Sequence, residues 1–81
     1  MNGDQIDWAA IGLDVGKILL GEPNPHLTTR KQARWGSNGS ISLDVASGRF
    51  YDHEAGEGGG VAWLIERDHG NVREFLDRHG F

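Results

Sequence analysis

The chain contains no cysteine, which excludes disulfides and every thiolate-based metal site. No apolar stretch approaches the roughly 20 residues that a membrane-spanning helix needs. Residues 1–7 lack the basic start and apolar centre of a secretory leader, so a soluble cytoplasmic protein with no membrane partner is expected. There is no excess of positive charge either. Eight Lys and Arg against twelve Asp and Glu leave a net charge of −4, which argues against wholesale coating of nucleic acid. With 81 residues and no covalent staple, residues 1–81 form one small domain whose stability must come from a modest core.

Catalytic motifs are missing too. The glycine run Gly56-Glu57-Gly58-Gly59-Gly60 has no Lys-Ser or Lys-Thr after it, and Val61 breaks the Gly-x-Gly-x-x-Gly spacing of a dinucleotide fingerprint. Glu57 would repel a phosphate, so the run reads as a tight strand-to-helix turn. No Ser, Cys or Lys sits in a recognisable nucleophile motif, and His53-Glu54 reads as a structural pair at a strand end. No catalytic site and no cofactor are expected.

What is present is an uneven distribution of charge. Residues 1–25 carry −3 and residues 54–81 carry −3. Between them, Arg30, Lys31, Arg34 and Arg49 outweigh Asp44 and Asp52 to give residues 26–53 a charge of +2. One basic segment thus lies between two acidic ones.

Periodicity assigns the elements. Trp8, Ile11, Val15, Ile18 and Leu19 recur at helical spacing within residues 1–21, with Asp4 or Asp7 as cap and a stop near Gly21, before Pro23. Gly12 and Gly16 weaken that helix by about 1 kcal/mol each relative to alanine, which implies that another element packs closely over them. Strands are expected near Thr29 to Trp35, Ser40 to Val45 and Arg49 to His53, separated by Gly36-Ser37-Asn38-Gly39 and by Ser47-Gly48. Ile41, Leu43 and Val45 alternate with Ser40, Ser42 and Asp44, giving one buried face and one wet face. Val61, Leu64 and Ile65 mark a helix that stops at His69-Gly70. Asn71 and Glu74 then form a capping box for a last helix bearing Val72, Phe75 and Leu76. The expected class is α+β: a three-stranded antiparallel sheet and glycine turn (residues 28–60), preceded by one helix and followed by two short ones in residues 61–80.

From Gly39 to Leu64 the chain reads Gly-Ser-Ile-Ser-Leu-Asp-Val, then Gly-Arg-Phe-Tyr-Asp-His-Glu-Ala-Gly-Glu-Gly-Gly-Gly, then Val-Ala-Trp-Leu-Ile. This order resembles the zinc-ribbon domain at the N-terminus of bacterial and phage DNA primases. There a tyrosine strand runs into a Cys-x-x-Cys knuckle and then Gly-Glu-Gly-Gly. The wording is similar to a cysteine-free variety at the start of phage or prophage replication proteins, which carry a primase-type or helicase-type domain downstream. The resemblance implies a zinc-ribbon-like fold, the N-terminal part of a longer protein, and contact with a single-stranded DNA template through the exposed sheet face. It also implies a catalytic primase or helicase partner domain, downstream or in trans.

Every zinc-ligand position departs from that family. No pair among the histidines His26, His53, His69 and His79 is closer than ten residues, and none falls at the turn around Gly36, so no metal is expected. His53 stands roughly where the first cysteine of the second knuckle would be. That knuckle must instead be held by hydrogen bonds and packing, with Trp63 and Phe50 as candidates.

If the alternation holds, Arg30, Arg34, Arg49, Tyr51 and His53 project from one face with Ser42 between them, a set that tracks phosphates beside a ring able to stack on a base. The isolated domain is expected to be a monomer. The competing expectation is a protein-docking module that uses Trp8, Trp63 or Phe81 and makes no DNA contact.

Overall fold

The computed structural model describes residues 6–81. Helix α1 (Trp8–Leu20) starts where Asp7 accepts a hydrogen bond from the Ala10 amide at 3.1 Å. It stops at Gly21, whose φ of 88° ends the helical path. Asp4, the other candidate cap, lies outside the described residues. Four strands follow: β1 (Gln32–Trp35), β2 (Ile41–Asp44), β3 (Arg49–Asp52) and β4 (Glu57–Gly59). They pair antiparallel in sequence order. Helices α2 (Val61–Asp68) and α3 (Val72–His79) complete the chain.

The class is α+β, but the sheet has four strands rather than three. Glu57-Gly58-Gly59, expected as a turn, pairs with β3 so that Gly59 faces Phe50 and Gly58 faces Tyr51. Only Gly56 in the run up to Gly60 has a positive φ, at 70°. Glycines carry no side chains to alternate, so β4 gives no periodic signal. Strand β1 is also shorter than expected. Thr29 to Lys31 turn instead, with Thr29 N–H donating to Gln32 O at 2.8 Å and Gln32 N–H to Thr29 Oγ1 at 3.2 Å. The capping box on α3 is half formed. Asn71 Oδ1 accepts from the Glu74 amide at 2.9 Å, while the Glu74 carboxylate reaches back to His69 Nε2 at 3.0 Å.

Register sorts the side chains into two layers. Ala33 lies beside Leu43, Leu43 beside Phe50 and Phe50 beside Gly59. This row meets Val15 of α1, Val61, Leu64 and Ile65 of α2, and Phe75 and Leu76 of α3 in one buried cluster. Among the described residues the helices pack on this face only, leaving the opposite face of the sheet uncovered.

The layers are locked by Trp35. Its indole N–H donates to Gly21 O at 2.8 Å, tying the end of α1 to β1. Its ring lies so close to the helix that a Cβ at Gly16 would sit 2.7 Å from it, whereas a Cβ at Gly12 would meet Val61 at an ordinary 3.4 Å. Both glycines are buried under neighbouring elements, as the helix propensities imply. They differ in consequence. Gly16→Ala is expected to destabilise by about 1–3 kcal/mol through overpacking. Gly12→Ala is expected to be neutral or stabilising, by up to about 1 kcal/mol of helix propensity. Urea unfolding of the two variants checks this, and equal losses would contradict it.

Candidate nucleic-acid interface

The uncovered face is built from the other half of the strand alternation. Arg34 of β1 lies beside Ser42 of β2, Ser42 beside Tyr51 of β3, and Tyr51 beside Gly58 of β4. Asp44 pairs in register with both Gln32 and Arg49 one row further on. His53 follows β3 directly, and its amide donates to Ser40 O at 2.7 Å, which holds it at the edge of the same row.

Tyr51 is the aromatic of this face and is 43% exposed. It lies down over β4, because a Cβ at Gly58 would sit 2.7 Å from Tyr51 Cδ1 and 2.5 Å from Phe50 O. The bare glycine lets the ring rest on the sheet while it stays partly exposed to solvent. The His53 ring meets it edge-on, with centroids 4.7 Å apart. An exposed aromatic on a sheet face is the kind of group on which a base stacks.

Arg34 and His53 form a second centre beside the ring. Arg34 Nη2 lies 3.1 Å from His53 Nε2, and Ser42 Oγ lies 3.2 Å from the same nitrogen. Ser42, expected to be wet, is only 6% exposed. The alternation assigns its side correctly, but the long Arg34 side chain and the returning His53 fold over it. Ser42 and His53 are within reach of each other as a nucleophile and base would be. Nε2, however, is also the atom that Arg34 approaches, so the pair is tied into a basic cluster.

Of the expected contact residues, Arg34, Tyr51 and His53 therefore come together around Ser42. Arg49 is exposed on the same face at the start of β3 and forms no ion pair among the described residues. Arg30 is exposed in the bend before β1, outside the strand alternation that was to align it with Arg34.

The knuckle after β3 closes around Asp52. Its Oδ1 accepts from the amides of Glu54 and Ala55, each at 3.0 Å, and its backbone carbonyl accepts from Gly56 N–H at 2.8 Å. Its Oδ2 pairs with Arg67 of α2 at 2.9 Å. Arg67 also bonds Asp68 at 2.8 Å and lies over the Trp63 ring, 5.2 Å from its centroid. Trp63 in turn rests on Gly59, where a Cβ would meet it at 2.6 Å. Trp63 and Phe50, proposed as packing for the knuckle, thus share the work with an Asp-Arg pair. Those two residues are 15 positions apart and give no local sequence signal. Among the described residues no three His, Asp or Glu side chains gather as a metal site.

The helix side holds the residues of the docking alternative. Trp63 is engaged with Gly59 and Arg67, and Phe81 stacks on Phe75 at 6.4 Å. Trp8 borders an open groove of about 340 Å³ with Ser47, Gly48, Arg49, Gly60, Val61 and Ala62. Among the described residues no helix is long and apolar enough to cross a membrane.

No protein-family model, no curated protein and no solved structure matches this chain. The likeness to primase zinc-ribbon domains therefore rests on the residues quoted for it.

The knuckle makes a pH-dependent contribution with a definite sign. The Ala55 amide holds the Asp52 carboxyl below its ordinary range, opposed by desolvation and reinforced by Arg67 and the Glu54 amide. A lowered carboxylate contributes stability above its unfolded-state range and loses it as pH falls through the native value. Asp52→Asn keeps an oxygen for the two amides but removes the ion pair. It is expected to lower the thermal midpoint at neutral pH, with a deficit that shrinks below about pH 4 as the parent carboxylate protonates. Thermal unfolding across that range checks this, and a constant deficit would contradict it.

Proposed function

We propose that this domain is a metal-free, zinc-ribbon-like accessory module of a DNA primase or replicative helicase, holding single-stranded template on the uncovered face of its sheet. The observation that carries the reading is Tyr51 lying over Gly58 on the helix-free face, with the Arg34–His53 cluster on one side and Arg49 next to it in β3. A partly exposed ring beside separated cations suits a base and its flanking phosphates, and does so without reading sequence. The resemblance over Gly39 to Leu64 supplies the replication context. Primer synthesis or strand unwinding belongs to a partner domain in this reading, and the sheet face presents the template to it.

Polarisation of a labelled single-stranded oligonucleotide tests the proposal. Tyr51→Leu is expected to weaken binding by about 1–3 kcal/mol, the worth of one stacked base. Arg49→Ala is expected to reduce the salt slope by about 0.7, the share of one phosphate contact on a single strand. Absence of any salt-sensitive binding at high micromolar protein would overturn it.

The groove beside Trp8 favours protein docking as the second reading. In that case Trp8→Ala would abolish capture of a primase or helicase domain, while Tyr51→Leu would leave it intact.

A further inference from the structure

We infer that Arg34, Ser42 and His53 form a seat for one phosphate group, an oxyanion site distinct from the Tyr51 stacking platform beside it. The inference rests on the sheet-face reading for its biological source of phosphate, but the cluster itself holds more donors than acceptors.

Arg34 Nη2 and Ser42 Oγ converge on a single atom, His53 Nε2, at 3.1 and 3.2 Å. A guanidinium only donates, and an imidazole nitrogen has at most one lone pair to offer. With that lone pair on Nε2, one of the two approaching groups is left unmatched as a donor. With a proton on Nε2 instead, the ring donates to Ser42 Oγ, and Arg34 Nη2 faces another N–H. A third donor adds to the excess, because Arg34 Nε is buried and has no hydrogen-bond partner among the described residues.

Buried polar atoms are nearly always paired, and an orphan beside two competing donors is a place where an added acceptor would be matched. Ser42 is 6% exposed, so its hydroxyl is held largely out of bulk water. A group with several acceptor oxygens and negative charge resolves both deficits at once. Arginine offers its fork of N–H groups to phosphate in parallel, and the serine hydroxyl fills a further oxygen. The seat is braced from below by the antiparallel register that pairs Arg34 with Ser42 and Ser42 with Tyr51.

Two sources share this chemistry, the phosphodiester of a nucleic-acid strand and free inorganic phosphate. The experiment follows the Arg34 Nε–H, Ser42 amide and His53 ring resonances during separate additions of three ligands at constant ionic strength. These are inorganic phosphate, a single-stranded oligonucleotide, and the same oligonucleotide with uncharged methylphosphonate linkages. Saturable shifts confined to those three residues are expected with inorganic phosphate, and the same shifts with the natural oligonucleotide but not its neutral analogue.

Ser42→Ala and Arg34→Lys, the latter keeping the charge but losing the fork, are each expected to weaken the phosphate response about tenfold, the loss of one hydrogen bond to a charged group. If the natural oligonucleotide binds while phosphate leaves the three resonances unmoved and Ser42→Ala binds normally, the seat is wrong and the sheet-face reading survives. If phosphate saturates the seat while neither oligonucleotide binds, the seat stands for free phosphate and the sheet-face reading falls. Shifts spread equally over Arg30 and Arg49, or reproduced by chloride, would overturn the seat.

Discussion

Trp35 can lie against α1 only because position 16 carries no side chain, and the two-layer arrangement depends on that contact. The indole wedges between helix and sheet, and its N–H reaches the carbonyl of Gly21 at 2.8 Å. All the helices then share one face of the sheet, and the other face is left to the strands alone. The same device recurs twice at the far edge. Trp63 rests on Gly59 from the helix side and Tyr51 on Gly58 from the open side, so one short glycine strand is gripped between two aromatic rings. Glycine weakens an isolated strand, but here the rings supply the packing that side chains would otherwise give.

That grip changes what the knuckle requires. In a small domain without cysteine, the turn between β3 and β4 needs some replacement for a covalent or metal tether. Asp52 takes that part by accepting three of the turn's amide hydrogen bonds, two on its side chain and one on its carbonyl, while its other oxygen meets Arg67. Arg67 then extends over Trp63, which presses on Gly59. Turn, helix and edge strand are thereby coupled through Asp52, two side chains of α2 and the bare backbone of Gly59.

Much of this was legible in the sequence where the signal is local. The spacing of Trp8, Ile11 and Val15 with the Asp7 cap marks α1. The alternation of Ile41 and Leu43 with Ser42 and Asp44 marks β2 and identifies the open face. The burial of Gly12 and Gly16 follows from their cost in a helix. What stayed hidden depends on contacts between distant residues or on side chains that do not exist. Strand β4 has glycines in place of an alternating pattern. The burial of Ser42 depends on Arg34 and His53 folding over it from positions 8 before and 11 after. Arg30 aligned with Arg34 only on the premise that β1 began at Thr29, and the Thr29–Gln32 turn removes that premise.

The polar consequence of a one-sided fold is that aromatic and basic groups on the open face have no helix to pack against. Tyr51 is the chain's only tyrosine, and it sits there with an exposed ring beside a cluster richer in donors than acceptors. The three tryptophans are spent on or near the helix side. The most direct measurement of this account is a residue-by-residue map of amide chemical shifts as a single-stranded oligonucleotide is added. The largest changes are expected on Arg34, Ser42, Tyr51, His53 and Gly58. Changes centred instead on Trp8, Ser47 and Gly60 to Ala62, or no changes at all, would contradict it.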